Sequence, residues 1–234
     1  MTKRPVCVVV GVGPGNGAAF ARRFDRDGYA VALLARSDDY SRQLASGLAD
    51  ARAFACDVAD ASSVEQTFAQ IRATLGEPEV VIYNAGSGVF GGFADVTAQD
   101  FETSWRVNTL GSFLVAKQVI PAMEAAGRGN FVFVGATASR RGGPRSTAFA
   151  PAKAAQRSFA ESLARQLGGK GIHVSLIIID GVVDLARTRA RMPDKPDSFF
   201  VNPDDVATTA AMLVAQPRSA WTFELEARPF GETW

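Results

Sequence analysis

The chain has 234 residues, of which 47% are hydrophobic and 21% charged, a length and composition that suit one sizeable core and a single globular domain spanning 1–234 better than two. A formal net charge of +1 gives no general attraction to nucleic acid or to an anionic membrane, so an anion must be held by local groups such as helix ends or individual arginines. Cys7 and Cys56 fall in separate predicted strands with no CxxC and no histidine cluster, which predicts buried free thiols in a reducing compartment and no disulfide or metal site.

The apolar run that follows Lys3 and Arg4 is cut by glycines far short of signal-peptide or membrane-spanning length, so a soluble cytoplasmic protein is expected. That run, Val6-Cys7-Val8-Val9-Val10, reads as a buried strand (5–11). It leads straight into Gly11-Val12-Gly13-Pro14-Gly15-Asn16-Gly17, and a helical pattern with Ala18, Phe20, Ala21 and Phe24 follows (15–27). Glycine leaves no Cβ where backbone must touch a pyrophosphate, and the first helical turn offers unpaired N–H groups and a positive dipole end. Strand, glycine turn and helix together predict a dinucleotide site built on Gly11, Gly13, Gly15, Asn16 and Gly17.

The second strand (29–35) ends at Leu34-Ala35-Arg36-Ser37. An acidic residue there would bind a ribose 2′-hydroxyl and favour NAD, whereas the Arg36 guanidinium and Ser37 hydroxyl suit an added phosphate. NADP is therefore favoured over NAD, with Asp38 and Asp39 arguing the other way. Helices near 39–48, 61–75, 100–126, 147–167 and 203–215 alternate with strands near 52–56, 79–83, 130–135, 172–179 and 222–226, the spacing that parallel strands need for their crossovers. Val80-Val81-Ile82-Tyr83 and Val174 to Ile179 are almost continuously apolar, as strands covered on both faces are. The expected fold is a doubly wound α/β domain with about seven parallel strands and helices on both faces. The stretch from Gly181 to Pro203 is linker-like, leaves the carboxyl end of a strand, and is expected to form a lid over the active site at about 182–202.

The spacing Gly11-x-x-x-Gly15-x-Gly17 resembles the glycine turn of short-chain dehydrogenases/reductases, and further matches follow in order as far as about Glu226. The resemblance implies a Rossmann fold in which Asp57, followed by Val58, contacts the adenine amino group. It implies that Asn84-Ala85-Gly86 steadies the central sheet and lines the cofactor ribose; the family's preceding Asn is Tyr83 here, read as a core aromatic. Asn108 matches the helix Asn whose backbone holds a water beside the catalytic lysine. Gly181 and Val183 match the Pro-Gly-x-Val-x-Thr segment that grips the nicotinamide carboxamide, with Asp180 and Leu185 replacing its Pro and Thr.

Two departures stand out. Phe149-Ala150-Pro151-Ala152-Lys153 occupies the place of Tyr-x-x-x-Lys, so the aromatic ring is kept, the phenolic proton is lost and Lys153 retains its implied bond to the nicotinamide ribose. The serine position falls on Ala136, which leaves Thr137 and Ser139 as the nearest hydroxyls, each also readable as a turn or cap group. Lys153, Asn108, Thr137 and Ser139 are the candidate catalytic residues. The resemblance implies an NADP(H)-dependent oxidoreductase acting on a carbonyl or activated C=C bond of a small molecule. Phe149 keeps open a dinucleotide-binding protein without turnover that senses its cofactor or binds a partner. Ala154, Ala155, Ala160 and Ala164, together with the aromatic tail Phe230 and Trp234, predict a homodimer or homotetramer. Arginines 140, 141, 145, 187, 189 and 191, with phenylalanines 90, 93, 199 and 200, either greet an anionic substrate with an apolar body or simply face water. His173 is expected to be structural.

Overall fold

A computed structural model describes residues 4–231; Lys3 and the tail residue Trp234 lie outside them. Seven strands form one parallel sheet: β1 (Val6–Val10), β2 (Ala30–Ala35), β3 (Ala51–Ala55), β4 (Pro78–Tyr83), β5 (Gly129–Ala136), β6 (Ile172–Ile179) and, last in the chain, β9 (Glu224–Ala227), in the order β3-β2-β1-β4-β5-β6-β9. Side chains alternate across the sheet. Val6, Val8 and Val10 enter one core with α3 (Ala61–Thr74), α5 (Gly111–Ala126) and α6 (Phe149–Leu167), whereas Cys7 and Val9 enter the other with α1 (Asn16–Arg26) and α8 (Pro203–Val214). A short helix, α2 (Asp39–Ala45), joins β2 to β3. Because both faces are covered, strand residues are apolar in succession, as the doubly wound reading requires. Both cysteines are free and buried.

Strand order reverses between β1 and β4, so the chain leaves these neighbours in opposite directions and a crevice opens above their carboxyl ends. The turn after β1 is pressed against the exit of β4. Gly11 has φ +89°, and a Cβ there would come within 2.5 Å of the Ala85 backbone. At Gly17 a Cβ would stand 2.7 Å from the Gly11 carbonyl oxygen, so helix α1 can approach the strand only without it.

Two segments differ from their sequence reading. The helix expected over 100–126 is α4 (Ala98–Trp105), a π-helical turn (Arg106–Leu110) and α5 in succession. The apolar periodicity runs on unbroken through the widened turn, so the pattern does not disclose it. Its cause is tertiary: the Tyr83 hydroxyl, buried under the turn, donates to the Val107 carbonyl at 2.6 Å. The expected lid is also more ordered than a linker. It carries β7 (Val182–Val183) paired in parallel with β8 (Phe200–Val201), and between them α7 (Ala186–Arg191), tied down by Arg189 to Asp184 and Asp197.

Tyr83→Phe strands the Val107 carbonyl in the core, and a urea titration is expected to show a loss of about 1–3 kcal/mol. A loss below about 0.3 kcal/mol would mean that the phenol does not brace the turn.

Candidate active site

A cleft of about 1030 Å³ lies above the carboxyl ends of β1, β4, β5 and β6, of a size for a whole cofactor molecule. Its floor is the glycine turn and the first turn of α1, from Gly11 to Gly17. Both the Gly11 and Val12 amides donate to the Leu34 carbonyl, at 2.8 and 2.9 Å, which fixes the turn against β2. Gly13 borders open space, and the Asn16 Oδ1 is buried with no hydrogen-bond partner although it faces the cleft. A buried acceptor left open in this way suits a ligand donor. From across the cleft Leu185 lays a methyl group against Gly15, where a Cβ would stand 2.5 Å from its Cδ2.

At the end of β2, Arg36 lines the cleft, is exposed and has no ion-pair partner among the described residues. Of the two carboxylates nearest it in sequence, only Asp38 is paired with another cation. Asp38 accepts from Arg42 at 2.7 Å, and Asp39 accepts from the Ser37 hydroxyl at 3.3 Å, so Ser37 is turned to its own helix and is not part of the cleft wall. Asp57 and Val58 line the cleft after β3. Asp57 receives the Ala59 amide at 3.0 Å, while the N-cap of α3 is Asp60, which accepts from the Ser62 amide at 2.9 Å. Asn84, Ala85 and Gly86 follow β4 along the same wall, and the Asn84 side chain donates to the Gly11 carbonyl at 2.7 Å.

The opposite wall is the first turn of α6. Lys153 is 5% exposed; its Nζ donates to the Val134 carbonyl at 2.9 Å and to Gln156 Oε1 at 3.0 Å, and lies 5.9 Å from the centre of the Phe149 ring. Burial, with no carboxylate to offset it, pushes the Lys153 ammonium down to about 7. Asn108 sits fully buried in the π-turn. Its amide nitrogen donates to the carbonyls of Ser104 and Ser87, at 2.8 and 3.1 Å, and its Oδ1 has no partner. Gly86 brings this oxygen and the lysine together: a Cβ on it would be 3.3 Å from Asn108 Oδ1 and 3.9 Å from Lys153 Nζ. Phe90, 62% exposed, packs against Phe149 at 5.1 Å between ring centres and forms the outer lip.

The structure therefore brings Lys153, Phe149 and Ala136 to the cleft wall, keeps Asn108 beside Lys153 at Gly86 but not among the lining residues, and leaves two of the expected hydroxyls aside. Thr137 and Ser139 occupy a 3₁₀ turn after β5, and neither is among the residues lining the cleft. The Thr137 hydroxyl donates to the Asp180 carboxylate, which Arg141 also approaches at 3.5 Å. Ser139 Oγ, 4% exposed, accepts the Ala136 amide at 3.1 Å. Gly181 and Val183 line the cleft below the lid, as do Leu185 and Arg187. Three of the six arginines at the mouth are paired, Arg140 with Glu224 and Glu226, Arg141 with Asp180 and Arg189 with two aspartates; Arg145, Arg187 and Arg191, like Arg36, have no ion-pair partner among the described residues. His173 Nε2 donates to the Thr222 carbonyl at 2.9 Å, the ring stacks on Trp221, and the residue lies near the start of β6, at the far end of the sheet from the cleft. Gln156 was absent from the sequence reading; a polar residue three positions past a lysine on an inward helical face is the signal that would have found it.

Comparison with known proteins follows the same outline. The short chain dehydrogenase family model matches residues 5–195. A 3-oxoacyl-[acyl-carrier-protein] reductase of Bos taurus is 28% identical over 218 residues, 91% of this chain and 92% of the relative. Among solved structures, a short-chain dehydrogenase from Rhodopseudomonas palustris superposes with a TM-score of 0.82 at 32% identity, covering 97% of this chain and 99% of the other. A metagenomic short-chain oxidoreductase in complex with NADP superposes with a TM-score of 0.84 at 26% identity, covering 98% and 99%.

The buried lysine carries a stability signature of definite sign. Its folded value of about 7 lies below the ordinary 10.5, so between these limits the unfolded chain binds more protons and stability rises with pH. Relative to a Lys153→Met variant, the parent should gain on the order of 4 kcal/mol as pH rises from 7 to 10. Thermal unfolding of both proteins across that range reads the difference; parallel curves would mean that the amine is hydrated.

Proposed function

The chain belongs to the short-chain dehydrogenase family, and from that membership we propose that it is an NADP(H)-dependent oxidoreductase that reduces a carbonyl, or a C=C bond conjugated to one, in a small molecule. The observation that carries the cofactor choice is Arg36 at the end of β2, which lines the cleft with no ion-pair partner among the described residues, while Asp38 and Asp39 are not among the lining residues. The NADP-bound oxidoreductase similar to this chain supports it. When bound, the dinucleotide supplies the hydride. Gly13, Gly15, Gly17 and the N-terminus of α1 hold its diphosphate, Arg36 its 2′-phosphate, and Asp57 and Val58 its adenine edge. Asn84, Ala85 and Gly86 line the ribose side, Lys153 binds the nicotinamide ribose, and Gly181 and Val183 present backbone to the carboxamide.

The protein's own contribution to proton delivery is reduced. Phe149 has no proton to give, and a missing general acid typically costs about 10²–10⁴ in rate. Lys153 is the titratable group on this wall, and with its pKa near neutrality it exists as ammonium and amine in comparable amounts. Carbonyl reduction then runs slowly, whereas a conjugated C=C acceptor, whose enolate takes a proton from water, is less penalised. Thr137 and Ser139 act in this reading by shaping the β5 turn. Phe149 also favours a second reading, a cofactor-binding protein without turnover.

Exposed Phe101, Trp105 and Phe113, at 44%, 41% and 44%, support subunit packing through α4 and α5 into a homodimer or homotetramer.

Arg36→Leu is expected to weaken NADPH binding roughly ten- to a hundredfold while leaving NADH binding within about threefold, measured by calorimetry. Equal losses for both cofactors would assign Arg36 no part in the choice. In a panel of aldehydes, ketones and enones with NADPH, Phe149→Tyr should raise carbonyl turnover by about 10². Lys153→Ala should abolish parent turnover. Tight NADPH binding with no turnover by the parent would favour the second reading.

A further inference from the structure

Helix α6 turns Phe149, Lys153 and Gln156 inward on one stripe, at positions i, i+4 and i+7. Gln156 is fully buried, and both ends of its amide are used. Nε2 donates to the Asn108 carbonyl at 2.7 Å, and Oε1 accepts from Lys153 Nζ at 3.0 Å. The π-turn gives that carbonyl to a side chain, and a buried carbonyl needs such a donor. With Val134 taking a second Nζ proton at 2.9 Å, two fixed oxygens fill the inner side of the ammonium. An ammonium has three protons. The third is left for the cleft, which Lys153 lines; Asn108 Oδ1, buried beside Gly86, also lacks a partner.

We propose that Gln156 is a positioning residue that locks Lys153 to the π-turn and keeps water from its inner side, so that the lysine exchanges its proton only through the cleft. A water held on the Asn108 carbonyl could both accept and donate, and would pass a proton inward. A carboxamide accepts at oxygen and donates at nitrogen, and passing a proton between them requires an imidic acid. The Asn108 backbone is thereby removed from any proton route. Among the described residues no titratable side chain hydrogen-bonds the amine. Tyr83, from β4, spends its hydroxyl on the Val107 carbonyl, and Arg157, beside Gln156 on α6, pairs with Glu224 of β9. The loop after β4 and strand β5 present Gly86 and the Val134 backbone.

The direction of proton exit rests on the cofactor reading of the cleft; the Lys153–Gln156–Asn108 unit belongs to the protein alone and is tested without ligand. The Lys153 Cε resonance, assigned by its loss in Lys153→Met, is titrated by ¹³C NMR in the ligand-free parent, in Gln156→Ala and in Gln156→Glu, with thermal unfolding to verify that each is folded. Gln156→Ala admits water and should raise the lysine midpoint by at least one pH unit. Gln156→Glu, close to isosteric, sets a carboxylate beside the ammonium and should raise it further. An unchanged midpoint in either folded variant, or a parent midpoint near the ordinary lysine value, overturns the proposal. Calorimetry with NADPH on the same samples separates the two readings: a parent that fails to bind NADPH while these shifts appear loses the cofactor assignment and keeps Gln156.

Discussion

A lysine amine buried at the meeting point of β5, α6 and the π-turn, with two neutral oxygens and no carboxylate for company, is the constraint to which the neighbouring structure answers. Such a group is tolerated only where its hydrogen bonds are supplied and its surroundings are fixed. Three side chains do the fixing. Tyr83 braces the π-turn from below, Gln156 ties it to the lysine, and the Thr109 hydroxyl donates to the Ala152 carbonyl at 2.8 Å, joining the turn to the first coils of α6. The widened turn is therefore a joint in which sheet and helix share hydrogen bonds, and the strain of an irregular helix is met by partners from outside it.

Charge around the cleft is arranged by subtraction. With a net charge of +1 the molecule has no general field to attract an anion. Acidic residues occupy Arg42, Arg140, Arg141 and Arg189, so the cleft-lining arginines without an ion-pair partner among the described residues, Arg36 and Arg187, stand at the β2 end and on α7. Exposed pairs of this kind add little to stability. Their effect is on where positive charge is left available.

Much of this was legible in the chain. The five-residue apolar run, the glycines and the alternation of short apolar segments with longer helical ones are local patterns, and they give the parallel sheet and the glycine turn directly. What was not legible depends on contacts between distant segments. The π-turn leaves the apolar period intact, and only the Tyr83 hydroxyl beneath it marks the place. β7 and β8 are two residues each and exist because they pair across the lid. The direction in which Thr137 and Ser139 point is decided by a 3₁₀ turn after the strand end, and Asp180, remote in sequence, claims the first of them. Gln156 reads, in isolation, as an ordinary polar position on a long helix.

The segment that follows β6 is held in two different ways along its length. Arg189 staples the segment to itself, bonding Asp184 and Asp197 from within it, whereas across the crevice the Leu185 side chain rests against Gly15 of the glycine turn. A latch made of methyl groups has no polar partner to forfeit when it slides, and added salt does not loosen it. The internal ties of the segment are thus sensitive to salt while its contact with the glycine turn is not, and the closeness of that contact is graded by the bulk of one side chain.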